Sequence, residues 1–492
     1  MLYHSTRNKT DLYASKDAIL KGICEDGGLF VSDDLGKTGI SVSGLENKTY
    51  TEIAAEVLSI LIPDYTDEEI EFCINNAYNG KFETEDLTPL TPIGENYLLE
   101  LYHGPTQAFK DLALCMLPQF MSVALKDRKR KVMILTATSG DTGKAALAGF
   151  ADAENIGITV FFPHEKVSDI QYLQMVTQKG GNVSVAAVRG NFDDCQTEVK
   201  NIFSRFSSVC EKKYGVSLSS ANSINVGRLV PQVVYYFEAY RQLLKRNAVK
   251  PGEQIDFCVP TGNFGDILAG WYAKQLGLPV RKLIVASNEN NVLFDFLKTG
   301  VYDRNREFIK TISPSMDILI SSNLERLLYY VSGGDCDAVV SWMNDLKEKG
   351  QFRIPENILN EILKDFDFGY ADNKEASRAI SEAYHTDGRL IDPHTAVAYK
   401  VAEEYKKKQA VTVKTVILST ASPFKFARDV YSAIFGDEGA VSGFEYMKKL
   451  SERTGEPAPA QLTDLVNAPI LHDSVVCVSE MESFVESAAG KE

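Results

Sequence analysis

No Cys-x-x-Cys pair and no His-x-x-x-His spacing occurs in the 492 residues, although eight cysteines and six histidines are present. The common zinc-ligand arrangements are therefore missing, and no metal site is expected. Cys24, Cys73, Cys115, Cys195, Cys210, Cys258, Cys336 and Cys477 are scattered, several in apolar stretches such as Ile255-Asp256-Phe257-Cys258-Val259. This usage reads as reduced core thiols of a cytoplasmic protein rather than a disulfide framework. No apolar run reaches about 18 residues, which leaves no candidate membrane-spanning helix. Met1-Leu2-Tyr3-His4-Ser5-Thr6-Arg7 lacks the apolar core of a secretory leader. Positive charge is in deficit too. Lys+Arg total 52 against 67 Asp+Glu, a net charge of −15, which argues against nucleic acid or an anionic membrane as partner. An anion must then be bound by a local pocket. Internal repeats and low-complexity tracts are also lacking.

What is present is an ordinary globular composition, 44% hydrophobic and 24% charged. At about 150 residues per domain the length suits roughly three domains. Residues 1–85 read as mixed, with helical patterns at 51–61 and 67–76 and a turn into a strand at Asp26-Gly27-Gly28-Leu29-Phe30-Val31. The polar Ser5-Thr6-Arg7 beside that turn raises the idea of a segment that closes over a site. Strands and helices alternate after Thr88-Pro89-Leu90-Thr91-Pro92, with strands at 131–138, 158–163, 183–188, 255–260 and 282–287. The helices between them are expected at 143–153, 168–179, 193–210, 228–244 and 266–275. Near-continuous apolar strands separated by helices imply a parallel sheet buried on both faces. Residues 291–389 turn helical and charge-rich, and a last helix–strand–helix unit follows at 395–406, 415–420 and 426–434. The tail from about 455 has little pattern.

Lys110 stands out within His103-Gly104-Pro105-Thr106-Gln107-Ala108-Phe109-Lys110-Asp111. It follows a Gly-Pro turn and precedes the apolar run Leu112-Ala113-Leu114-Cys115-Met116-Leu117, so burial is expected. Burial disfavours the ammonium form and frees the amine to act as a nucleophile, the property a Schiff-base lysine needs. The strand at 131–138 runs into Ser139-Gly140-Asp141-Thr142-Gly143-Lys144. A nucleotide P-loop fails on spacing there, because Thr138 stands where its first glycine belongs and Ala145 where its Ser/Thr belongs. A carboxylate at Asp141 instead suits the polar substituents of a small ring. Thr261-Gly262-Asn263-Phe264-Gly265-Asp266 suits a phosphate held by backbone N–H groups at a helix start, or an ordinary turn with Asp266 as N-cap. Ala221-Asn222-Ser223-Ile224-Asn225-Val226-Gly227-Arg228 reads as a second anion site or as a helix cap with a solvated arginine. Ser419-Thr420-Ala421-Ser422-Pro423 ends a strand with a hydroxyl, which either serves a pyridine nitrogen or bonds to backbone.

In this order the five motifs resemble those of the threonine synthase family, in its longer yeast- and enterobacteria-type branch, and the resemblance spans nearly the whole chain. It implies an α/β fold of the type II pyridoxal phosphate (PLP) class, with two lobes of mostly parallel sheet flanked by helices. The expected division is a small N-terminal domain at 1–85, a core at 86–290 and 390–492 with its smaller lobe at about 100–225, and a helical insertion at 291–389. Lys110 would carry PLP. Gly262, Asn263, Phe264, Gly265 and Asp266 would surround its phosphate, Thr420 would face its pyridine nitrogen, and Asp141 would lie near its ring hydroxyl. Asn222, Ser223, Asn225, Arg228, Ser139 and Thr142 would bind the small-molecule substrate, O-phospho-L-homoserine. The implied reaction is γ-elimination of phosphate followed by addition of water at the β-carbon, giving L-threonine, the last step of threonine biosynthesis. Another PLP lyase of the same fold, such as a threonine or serine dehydratase, needs no second phosphate site. A non-catalytic paralogue would have no need of Lys110. No motif bears on whether the chain acts as a monomer or a homo-oligomer.

Overall fold

The computed structural model describes every residue except Asp127, Lys129, Ser139, Lys166, Ala410, Val411, Ala440, Lys491 and Glu492, and the side chains of Phe192 and Asp193. The apolar strands assemble into two main sheets. The larger runs Phe366–Tyr370, Val280–Ser287, Ile255–Pro260, Thr415–Ser419, Asn96–Glu100, Leu90–Ile93. Its neighbours are parallel except the last pair, a hairpin. The smaller runs Val475–Cys477, Val183–Arg189, Ile156–Pro163, Lys131–Ala137, Val216–Ser219, all parallel. Ile255–Pro260 and Ile156–Pro163 are buried at every position, as strands covered by helices on both faces must be.

Helix Val226–Lys245 is buried from Val226 to Leu244, the mark of a helix inside a core rather than on a surface. It packs against helices Gly265–Gln275, Tyr50–Leu61 and Lys110–Leu114. Helices Tyr50–Leu61 and Asp67–Tyr78 each open with a capping box, Thr49 with Glu52 and Thr66 with Glu69. Tyrosines fasten this N-terminal region to the core. Tyr78 Oη donates to Leu112 O at 2.9 Å and Tyr65 Oη to Phe120 O at 3.0 Å. The N-terminal segment is also tied down. His4–Ser5 pairs with Phe30–Val31, Thr6 Oγ1 donates to Glu325 at 2.6 Å, and Arg7 grips both Glu325 oxygens at 2.9 Å. Gly28 allows this approach, since a Cβ there would stand 2.1 Å from Ser5 Oγ. Residues 4–7 are thus held by a short strand pairing and by Glu325.

Two stretches depart from their expected texture. Residues 291–389 contain strands as well as helices. Val301–Asp303 pairs antiparallel with Gln351–Arg353, and Phe366–Tyr370 lies parallel to Val280–Ser287 at the edge of the larger sheet. The strand is only five residues long between two helices, so pairing with its neighbour decides it rather than local pattern. The tail is ordered too: Val475–Cys477 joins the edge of the smaller sheet and helix Met481–Ala489 packs on helix Phe192–Tyr214. The smaller sheet therefore draws on the C-terminus as well as on residues near 100–225.

Candidate active site

The turn before Lys110 is sewn to the end of the strand Thr415–Ser419. Phe109 N–H donates to Thr420 O at 2.8 Å, Ser422 N–H to Gln107 O at 3.1 Å, and Ala108 forms a bridge with Ala421. Thr106 gives its backbone N–H and its hydroxyl to buried Asp111, at 2.7 and 2.6 Å. Gln107 is held at φ 60°, a left-handed conformation that costs a non-glycine residue energy and is found where the surroundings impose it. These ties place Lys110 at the first position of helix Lys110–Leu114, buried, with Nζ 4.6 Å from the centroid of the Phe109 ring. Burial brings its amine down to about 8; Lys425 and Arg228 push the same way, while Asp141 and Asp266 oppose. At neutral pH a fraction of the amine is un-ionised, as an attacking or proton-accepting lysine requires.

Helix Gly265–Gln275 begins with no side-chain cap, because Phe264 occupies the N-cap position, at φ 62°. The helix start is thus left open to an anion. The reading of Asp266 as N-cap is corrected: it lies inside the first turn, where Oδ1 accepts from Tyr235 Oη at 2.5 Å and Tyr236 Oη at 3.0 Å. Burial raises its carboxyl to about 6 against the pull of both tyrosines, and Oδ2 is buried without a partner. The turn is braced by Ser321 Oγ on Gly262 O at 2.7 Å and by Asn323, whose Nδ2 and N–H both reach Asn263 O at 3.1 Å. Ser223 lies against Gly265, its Cβ 3.6 Å from where a Cβ at that glycine would be.

Arg228 is buried on the first turn of helix Val226–Lys245. Nη1 donates to Ala221 O at 2.7 Å, while Nε is buried with no partner. Desolvation depresses this guanidinium to about 10. A buried guanidinium with an unused donor is costly unless an anion completes it. The solvated-arginine alternative therefore falls. Asn225 has a different fate: its Oδ1 caps the helix through Gly227 N–H at 2.9 Å, and Nδ2 donates to Ile19 O and Ser220 O, both at 3.0 Å. Its amide is engaged in shaping the turn. Asn222 and Ser223 are half-buried on the same turn.

Asp141 opens helix Asp141–Phe150 and is buried. Its Oδ1 is 2.7 Å from Lys425 Nζ and accepts from Gln171 Nε2 at 3.2 Å; Ser315 Oγ donates to Oδ2 at 3.3 Å. Burial works against its charge, but Lys425 and Lys110 together hold the carboxyl well below the usual range. The helix is pressed onto the lysine helix, because Gly149 has no Cβ; one would meet Leu114 O at 2.0 Å. Thr142 is half-buried in the same first turn, and Ser139 lies outside the described residues. Thr420 is buried at the strand end, with its N–H on Thr395 Oγ1 at 3.3 Å.

All five motifs thus converge around Lys110. The donors suit a phosphate monoester on an aromatic aldehyde: an uncapped helix start, a strand-end hydroxyl and a buried primary amine. The orphaned Arg228 suits a second anion. Sequence reading missed Lys425, Gln171, Ser315 and His394. His394 accepts from Ser315 N–H at 3.1 Å through Nε2, so Nδ1 carries the proton shared with Asp392 Oδ2 at 2.6 Å. A signal for Lys425 was present. Phe424-Lys425-Phe426 follows a Ser-Pro turn, much as Phe109-Lys110 follows a Gly-Pro turn.

Three family descriptions match along the chain, the last two overlapping: threonine synthase N terminus over residues 2–78, pyridoxal-phosphate dependent enzyme over 85–422, and threonine synthase C-terminal over 395–471. Threonine synthase-like 1 of Homo sapiens is 40% identical over 431 residues, 85% of this chain; the chain spans 58% of the length of that relative. The threonine synthase of Pseudomonas aeruginosa is 37% identical over 444 residues, 90% of this chain and 92% of that protein. The solved structure of PLP-bound threonine synthase from Brucella melitensis has a TM-score of 0.88 with this chain, at 37% identity over 99% of each.

Proposed function

The chain belongs to the threonine synthase family of pyridoxal-phosphate-dependent enzymes, and from that premise we propose that it converts O-phospho-L-homoserine and water to L-threonine and phosphate. The observation that carries the substrate is Arg228. Its buried, unsatisfied Nε lies in the same cluster as Lys110, so the site holds a place for an anion beyond the one at the helix Gly265–Gln275.

PLP bound here supplies an electron sink for charge developing on the amino acid, and Lys110, the 262–266 turn, Asp266 and Thr420 are the residues that would hold it. The remaining work falls to the protein. The Lys110 amine, lowered to about 8, is the group to take the α-proton and return a proton later. Arg228, with Asn222 and Ser223 on the same turn, binds the substrate phosphate and stabilises its departing charge in a desolvated pocket. Thr420, buried at the strand end, would offer a hydroxyl to the pyridine nitrogen, which such a group can hydrogen-bond without protonating. Asn225 shapes this turn from behind. A cytoplasmic setting suits such a protein: burial pushes the Cys73 and Cys115 thiols up to about 12, which keeps them un-ionised and inert.

The test is to incubate the PLP-loaded protein with O-phospho-L-homoserine and measure phosphate and amino-acid product together. Phosphate and threonine in equal amounts are expected. Phosphate with a keto acid would instead make the protein an eliminating lyase. A yellow protein that turns nothing over would retain the cofactor and discard the substrate.

A further inference from the structure

The Asp141–Lys425 pair is a polar island that the reaction above does not use. Lys425 sits in the short turn Pro423–Phe426, with its side chain fully buried. Its ammonium lies 2.7 Å from Asp141 Oδ1 and 3.0 Å from Thr106 O, so two of its three N–H donors are accounted for. Gln171 and Ser315 complete the carboxylate. A buried ion pair is a poor way merely to join two elements, since apolar side chains of similar volume do so at no greater cost. This pair stands where its charges act on Lys110, and among the groups acting on that amine Asp141 and Lys425 are the two strongest.

We propose that Lys425, positioned by Asp141 and Thr106, is a second functional lysine that keeps the phenolic oxygen of the cofactor ring anionic. The proposal rests on the cofactor reading above. It follows from the chemistry of pyridoxal. The phenolic oxygen is on the ring carbon next to the one bearing the aldehyde, so it stays close to the lysine that holds the aldehyde. Lys425 is the cation near Lys110 that is fixed by two acceptors and still has a donor unassigned. Arg228, the other cation acting on Lys110, belongs to the 221–228 turn. Asp111, Lys144, His394 and Asp266 are further titratable groups among the described residues whose charges couple to Lys110, Asp141 or Lys425. Without Lys425, ionised Asp141 would be left beside the oxygen. The oxygen would then take up the proton that otherwise sits on the nitrogen linking Lys110 to the ring.

The experiment compares absorbance spectra and melting temperatures of PLP-loaded wild type, Lys425→Met and the double variant Asp141→Asn/Lys425→Met at neutral pH. The ratio of the yellow band to the near-ultraviolet band should fall about tenfold or more in Lys425→Met, the effect of an adjacent charge on a proton equilibrium. In the double variant it should lie between the other two, because the opposing carboxylate is gone as well. A structural tie alone predicts a lower melting temperature with the wild-type ratio, and that result overturns the proposal. Should Lys425→Met fail to fold, the double variant decides: a reduced ratio supports the role and a wild-type ratio refutes it. A wild type that stays colourless with excess PLP would refute the cofactor reading itself.

Discussion

Arg228 and Arg326 are both buried arginines, and they grip the same turn from two sides. Arg228 donates to Ala221 O, Arg326 to Ile224 O at 2.6 Å. Arg326 also gives Nε to Phe30 O at 2.9 Å and Nη1 to Asn323 Oδ1, which ties the N-terminal strand, the 221–228 turn and the brace of the 261–266 loop into one junction. Each nitrogen of its guanidinium has a protein acceptor, whereas Arg228 has one partner and an orphaned Nε. Burial depresses both guanidinium groups, so burial alone does not separate a structural cation from a binding one. What separates them is the donor left over.

The comparison can be broken by substitution. The reference point is Lys110→Ala, which should lower turnover by roughly 10⁴-fold or more while leaving the melting temperature near that of the wild type. Arg228→Met should come next, with kcat/KM falling by roughly 10³-fold and little loss of stability, since it removes an unsatisfied buried charge. Arg326→Met should reverse the pattern. It strands two buried acceptors and one part-buried acceptor and should cost about 3 kcal/mol in urea unfolding, with the folded fraction keeping most of its catalytic efficiency. If Arg228→Met unfolds the protein and Arg326→Met spares its stability, the leftover-donor argument is wrong.

A smaller effect sharpens the contrast from the Lys110 side. In the cofactor-free protein burial brings Lys110 from 10.5 to about 8. Between these values the unfolded chain binds this proton and the folded chain does not, so stability rises with pH across the window. The rise attributable to Lys110 is about 3 kcal/mol. Urea titrations of cofactor-free wild type and Lys110→Met from pH 7.5 to 10.5 check this (about three units of window). The difference between their slopes should vanish below about pH 8.

Much of this site was legible because its chemistry is tied to local grammar. Phe109-Lys110 after a Gly-Pro turn and the glycine turns at 140–143 and 262–265 are local signals of a turn into a helix, and in the structure helices begin at Lys110, Asp141 and Gly265. The helical pattern at 228–244 foreshadows helix Val226–Lys245, and the near-continuous apolar runs between helices foreshadow the buried strands. Asn225 shows where that grammar misleads. A polar side chain beside an arginine at a helix start reads as a ligand contact, yet its amide is spent on Ile19, Ser220 and Gly227. Phe366–Tyr370 shows the same for a strand, whose partner is Val280–Ser287 and not its own flanks.

The sequence by itself determined the lysine that follows a Gly-Pro turn, the order of the glycine-rich turns and the alternation that builds mostly parallel sheet, because these depend on neighbours a few residues away. Only the tertiary structure decided which charges meet. Asp141 and Lys425 are 284 residues apart in the chain, and folding set them 2.7 Å apart. Whether a group stays ionised depends on its burial and on partners contributed by distant segments, and neither is written in the local sequence.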